Sequence, residues 1–264
     1  MFKRLLTPRI NLPLSLPSFS SFSSLASQCA VCRSWPTHQV CRPCVSRFSP
    51  AALRCRACAL DLPPDLSLGE AGIQTSPRLC IDCIRHPPPV DATLVAVTYA
   101  YPWSELITRY KFGNRPGWAP FFADMLLGAA GVQRALEDLQ ACDFIIPMPL
   151  SVERLQLRGF NQAWDLARAL AKKSGTGARP DARLLLRPKH TPPQTSLQRE
   201  ARLANVKNAF QVDPLRAPVL VGRRVVLVDD VMTSGASIFT AAQALRSAGA
   251  AHITAIALAR TPAT

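Results

Sequence analysis

Val225-Val226-Leu227-Val228 is an unbroken run of four apolar residues, followed at once by Asp229 and Asp230 and then by the small-residue turn Thr233-Ser234-Gly235-Ala236-Ser237. Such a run suits a strand buried on both faces of a parallel sheet. Ile238, Ala241, Ala242 and Leu245 then recur at helical spacing, so the turn opens a helix. The same patterning predicts a strand over 91–99, a helix over 103–112 with Leu106, Ile107 and Tyr110 inward, and one longer helix over 121–139. A strand over 142–149 runs into a loop stiffened by Pro147 and Pro149, and a helix follows from Ala163 to about Lys173. A short strand over 183–187 precedes a mobile-looking segment, 188–194, and Thr195 or Ser196 can cap a basic helix carrying Gln198, Arg199, Arg202 and Lys207. Gly249 ends the helix after the small-residue turn, and 252–258 forms a final strand.

The amino-terminal third lacks this periodicity and is marked by cysteine instead. Eight of nine cysteines fall in Cys-x-x-Cys pairs: Cys29/Cys32, Cys41/Cys44, Cys55/Cys58 and Cys80/Cys83. Each pair offers two thiolates from one tight turn, the donor set of a tetrahedral zinc site. Disulfides or redox dithiols are the alternative, but two-residue spacers are poor at crosslinking distant segments. Pairing in order gives two sites, Cys29/Cys32 with Cys41/Cys44 and Cys55/Cys58 with Cys80/Cys83; interleaved pairing stays open. Four thiolates leave no open position, so two structural zinc ions are expected, and free thiols point to the cytoplasm. His38 and His86 read as surface residues and Cys142 as a buried core thiol.

Three segments follow: a leader over 1–28, a cysteine-rich zinc-binding module over 29–90 ending at Pro87-Pro88-Pro89, and an α/β domain over 91–264. The leader is basic, but prolines and serines break its apolar stretches, and no run approaches the roughly 20 residues needed to span a bilayer. Stable membrane insertion is therefore not expected. The net charge of +14 invites a nucleic-acid partner. It does not settle the matter: residues 91–264 contribute +8 of it, an excess that suits a pyrophosphate-bearing substrate equally well.

A helix opening after a strand aims backbone N–H groups and the positive end of the helix dipole at one spot, which favours a phosphate. Asp229 and Asp230 would repel that anion, so they make sense facing sugar hydroxyls or a bound Mg²⁺. Arg154 and Arg158, after the proline loop, could hold pyrophosphate oxygens, or could simply face solvent. Lys111 and Arg115 form a basic turn that could meet a phosphate, although its place at a helix end favours a solvated one.

Taken whole, the stretch from Val225 to Ser237 resembles the phosphoribosyl-pyrophosphate (PRPP) signature of type I phosphoribosyltransferases, with Ser234 and Ser237 where Thr is commoner. Pro147-Met-Pro-Leu150 leading to Arg158-Gly-Phe-Asn-Gln162, and Gln194 leading to Arg202-Leu-Ala-Asn205 and Ala209-Phe210, extend the likeness. With the cysteine pairs, the chain over 29–260 resembles the ComF family of competence-associated proteins. The resemblance implies a three-layer α/β fold of the type I phosphoribosyltransferase kind, with a mainly parallel sheet and a small double zinc-ribbon-like module. It implies PRPP with Mg²⁺ as ligand, Asp229 and Asp230 on the ribose hydroxyls, and Thr233 to Ser237 around the 5′-phosphate. It also implies a role with incoming single-stranded DNA and a competence helicase partner. The transferase reading leaves the acceptor open. A non-catalytic reading, binding single-stranded DNA or the helicase through the zinc ribbons and the basic surface, stands beside it.

Overall fold

A computed structural model describes residues 27–35, 37–63, 78–113, 116–188 and 209–263. The leader up to residue 26, most of the segment 188–194 and the basic helix expected after it lie outside these residues. The chain divides into two compact units, the first ending at Cys44 and the second running from Val45. In the first, Ser27 and Thr37 form an isolated antiparallel bridge, and helix α1 (Arg42–Phe48) begins with Cys44 buried in it.

The second unit is built on five parallel strands. They are β1 (Ala92–Thr98), β2 (Phe144–Pro147), β3 (Arg179–Pro180), β6 (Arg224–Met232) and β7 (His252–Arg260), in the order β1-β7-β6-β2-β3. Interior strand β7 is buried from Ile253 to Arg260 without alternation, as a strand covered on both faces must be. Edge strand β1 alternates between buried and half-buried positions instead. A short antiparallel ribbon, β4 (Leu185–Leu186) with β5 (Gln211–Val212), stands apart from this sheet.

The helices of this unit are α2 (Ile81–Arg85), α3 (Trp103–Phe112), α4 (Ala119–Leu127), α5 (Val132–Glu137), α6 (Val152–Arg158), α7 (Gln162–Ser174) and α8 (Ala236–Ser247). Helix α7 packs on β2 and β6, and α4 packs on α7 and on β7. Helix α8 lays Ile238, Ala241, Ala242 and Leu245 against Val225 and Leu227 of β6 and Ile253, Ala255 and Ala257 of β7. The result is the three-layer α/β arrangement expected. Cys55, Cys58 and Cys83 belong to that same apolar cluster, so the second cysteine group is part of the core beneath the sheet.

Three expectations need correction. The helix expected over 121–139 is two helices, because Gly131 takes the left-handed φ of 83° between them. The strand expected over 183–187 keeps two residues, in the ribbon rather than the sheet. Cys142 is exposed, not a core thiol, since the chain turns at the surface before β2 begins. Helix α6 gave no readable signal: none of its residues is buried, and its start depends on Ser151, whose hydroxyl accepts the Arg154 N–H.

Candidate functional site

The cysteines close into two groups in chain order. The Sγ atoms of Cys29, Cys32, Cys41 and Cys44 lie within 4.8 Å of one another, and so do those of Cys55, Cys58, Cys80 and Cys83. Cys32 and Cys41 are 3.6 Å apart at sulfur, Cys58 and Cys80 3.7 Å. Four sulfurs each about 2.3 Å from a zinc ion define a tetrahedron with edges of about 3.8 Å, so either group could hold one; a disulfide would need about 2.05 Å. The turns are alike: Arg33 and Ala59, each following the second cysteine of its pair, take φ of 66° and 55°. Arg33 N–H donates to Cys29 O, and Ala59 N–H to Cys55 O. Backbone N–H groups also point at sulfur, from Cys41 to Cys29 at 3.4 Å and from Cys80 to Cys55 at 3.3 Å, which favours thiolates. The hydrogen bond from Cys58 pulls the Cys55 thiol down to about 4, while burial pushes Cys83 up to about 12. Thiols this close cannot all ionise without a cation among them. His38 and His86 are exposed.

The second constellation is a cleft of about 530 Å³ at the carboxyl end of β6. Strand β6 continues through the acidic pair to Met232, so Asp229 and Asp230 are strand residues, paired in register with β7 at Asp229↔Ala257. Asp229 Oδ1 accepts the Asp230 N–H at 2.8 Å. Asp230 is buried and meets Lys111 Nζ at 2.9 Å. Burial, and then the Asp230 carboxylate beside it, push Asp229 up to about 7 against the pull of Lys111 and Arg187. Lys111 is therefore no solvated helix end. Tyr110 anchors its helix from within, donating to Gln162 O at 3.0 Å and packing edge-on against Phe122 and Phe160.

Past Met232 the chain turns through Thr233, Ser234 and Gly235 into α8, and Thr233 and Ser237 line the cleft. Ser234 Oγ accepts the Ala236 N–H at 3.4 Å. Gly235 holds φ at 85°, and a Cβ there would stand 2.6 Å from Met232 Cε and 2.7 Å from Phe239 Cε2. Strain and overpacking together set the expected cost of Gly235→Ala at about 2–4 kcal/mol. Thermal denaturation should show a midpoint lower by roughly 5–10 °C; an unchanged midpoint would mean that this turn tolerates a side chain.

Across the cleft stand Arg154, Arg158 and Arg187. Arg158 is held by Gln162, whose Oε1 accepts from Nη1 at 2.9 Å, and its guanidinium lies 5.0 Å from the centre of the Phe112 ring. Asn161 fixes the loop beneath: its amide donates to Met148 O at 3.0 Å, and its Oδ1 caps α7 by accepting from Ala163 N–H. Burial, with Arg154 next to it, pulls Arg187 down to about 10, and burial likewise lowers Arg154. The cleft thus sets Asp229 and Asp230 against a set of half-desolvated cations, beside a helix N-terminus, with Glu153 also on its wall. It brings together Asp229, Asp230, Thr233, Ser237, Arg154 and Arg158; Ser234, Gly235 and Ala236 form the turn behind it.

Residues 186–264 match the family described as "Phosphoribosyl transferase domain". "DNA utilization protein YhgH" of Escherichia coli K12 is 35% identical over 182 residues, 69% of this chain and 78% of that protein. "Competence protein F" of Haemophilus influenzae is 31% identical over 209 residues, 78% of this chain and 90% of that protein. The chain belongs to the ComF family. The chain thus carries both a phosphoribosyltransferase match over part of its parallel sheet and two cysteine groups. In this ComF chain the sequence left Lys111 between phosphate contact and a solvated helix end and gave no sign of Arg187 as a cleft residue; both reach the cleft from elements remote in sequence. Among the described residues, no helix is long and apolar enough to cross a membrane.

Proposed function

We propose that this ComF protein binds PRPP with Mg²⁺ in the cleft and transfers its phosphoribosyl group to an acceptor, as a cytoplasmic component of DNA uptake. One observation carries the reading: an acidic pair, a helix N-terminus and three arginines line one cleft at the carboxyl end of a central parallel strand. That is where open α/β sheets bind ligands. Asp229 and Asp230 would accept from the ribose 2′- and 3′-hydroxyls. The turn from Thr233 to Ser237 would take the 5′-phosphate on its N–H groups and hydroxyls. Arg154, Arg158 and Arg187 would hold the pyrophosphate.

In this mechanism the bond from ribose C1 to the pyrophosphate oxygen breaks with its electron pair on the oxygen. The arginines offset that growing charge, and the acidic pair fixes the ribose and favours the cationic character at C1. A nucleophilic atom of the acceptor bonds to C1 and gives up its proton to an oxygen of the departing pyrophosphate or to water. Mg²⁺, held by hard oxygen donors of the ligand and the acidic pair, would neutralise the departing pyrophosphate. Incubating the zinc-loaded protein with PRPP, Mg²⁺ and nucleobases, amines or oligonucleotide ends should release pyrophosphate with at least one acceptor class, and no release across all of them sinks the transferase reading. The relatives' names, DNA utilization and competence, favour a second role in binding single-stranded DNA or an uptake helicase. A salt-dependent association with single-stranded DNA would support it.

A further inference from the structure

Arg260, the last residue of β7, is buried at the point where the second cysteine group meets the turn into α8. Its Nε donates to Cys58 O at 2.9 Å. Its Nη1 donates to Thr233 O, to Met232 O at 3.4 Å and to Thr261 O at 2.8 Å. One guanidinium thus ties a carbonyl inside a metal-binding turn to two carbonyls at the start of the proposed phosphate turn. The surrounding contacts leave little slack. Thr93 accepts nothing from this turn but donates twice to it, N–H to Arg56 O and Oγ1 to Ala57 O, both at 2.7 Å. Arg54 donates to Ala59 O at 3.2 Å and to Thr98 Oγ1 at 3.0 Å. On the other side, Thr261 N–H donates to Met232 O at 3.0 Å.

We infer that Arg260 is a positioning residue that couples the metal in the Cys55/Cys58/Cys80/Cys83 group to the turn over Thr233–Ser237, so that zinc in the one and phosphate in the other stabilise each other. The use of PRPP as probe rests on the proposed function; the coupling itself does not. A metal that fixes the Cys55–Cys58 turn fixes the Cys58 carbonyl, and through the planar guanidinium it fixes the carbonyls of Met232 and Thr233. The N–H groups that follow then face the cleft already ordered. A lysine carries its three donors on one nitrogen and could not reach Cys58 O and the Met232 and Thr233 carbonyls together. Binding linkage is reciprocal, so the effect is readable from either end.

The test is equilibrium competition for zinc with a chromophoric chelator, with the step belonging to the first group identified as the one missing in Cys29→Ser. PRPP with excess Mg²⁺ should raise the second group's zinc affinity about 5- to 150-fold, the range of ordinary site-to-site coupling. In Arg260→Lys, which should still carry both zinc ions, that gain should fall to near onefold, and calorimetry should show PRPP affinity weakened by the same factor. A second readout needs no ligand: with both zinc ions in place, hydrogen exchange of the peptide spanning 232–237 should be faster in Arg260→Lys than in the wild type, while peptides of β1 and β2 keep wild-type rates. A second-group zinc affinity that ignores PRPP in a protein shown to bind it, or turn exchange unchanged by Arg260→Lys, overturns the coupling. If the wild-type protein fails to bind PRPP, the proposed function falls, and the exchange measurement still decides the coupling.

Discussion

Asp229→Asn should lose PRPP binding while unfolding at a higher temperature than the wild type at pH 8. The binding half follows from the carboxylate's role as acceptor for sugar hydroxyls and as hard donor toward Mg²⁺. A lost charge-assisted interaction of about 2–3 kcal/mol weakens affinity roughly 30- to 150-fold. The stability half follows from the raised pKa, about 7 against an ordinary value of 3.8. Between those values the folded chain holds a proton that the unfolded chain has released. Stability is therefore fully present below the unfolded value and declines as pH rises toward 7 and through it. An amide removes that dependence, so the variant should match the wild type near pH 4 and exceed it at pH 8. The same titration makes PRPP affinity in the wild type climb about tenfold per pH unit below 7 and level off above it. Asp230→Asn should behave in the opposite way for stability, because it leaves Lys111, now paired at 2.9 Å, without that carboxylate in a largely buried setting. Scanning fluorimetry across pH, beside calorimetry, separates the two; a lower midpoint for Asp229→Asn at pH 8 would show that its burial carries no electrostatic cost.

The second large effect is expected at Cys55→Ser. Cys55 is wholly buried within the apolar cluster that α8 and the sheet share. A structural zinc site in a small module contributes apparent binding energies of about 10–16 kcal/mol, comparable to or above the whole stability of an ordinary domain. The variant should carry one zinc equivalent in place of two, and the unit from Val45 onward should lose its cooperative unfolding transition. Zinc content by mass spectrometry, with near-ultraviolet circular dichroism, reads both. A variant that loses its zinc and still melts cooperatively near the wild-type temperature would mean that the sheet core stands without the metal.

What the sequence makes legible is local. Val225 to Val228, the small-residue turn and the spacing of Ile238, Ala241 and Leu245 announce strand, turn and helix because each signal lies within a few residues. The two-residue cysteine spacing announces metal for the same reason. Aspartate is a poor strand former, so the sequence ends the strand at Val228; pairing with β7 on to Val231↔Ala259 overrides that propensity. Lys111, Arg187 and Arg260 reach their partners across 119, 42 and 27 positions respectively, taking Asp230, Asp229 and Thr233 as those partners. No periodicity carries information over such distances. The second cysteine group's place in the sheet's own core was hidden likewise, since Cys55, Cys58 and Cys83 pack on residues of β6, β7 and α8.

The most direct measurement is calorimetric titration of the zinc-loaded wild-type protein with PRPP in excess Mg²⁺ at pH 8, beside an Asp229→Asn/Asp230→Asn variant. The expected result is one binding site per chain in the wild type and none detectable in the variant. A folded wild-type protein carrying two zinc ions that takes up no PRPP would contradict the account.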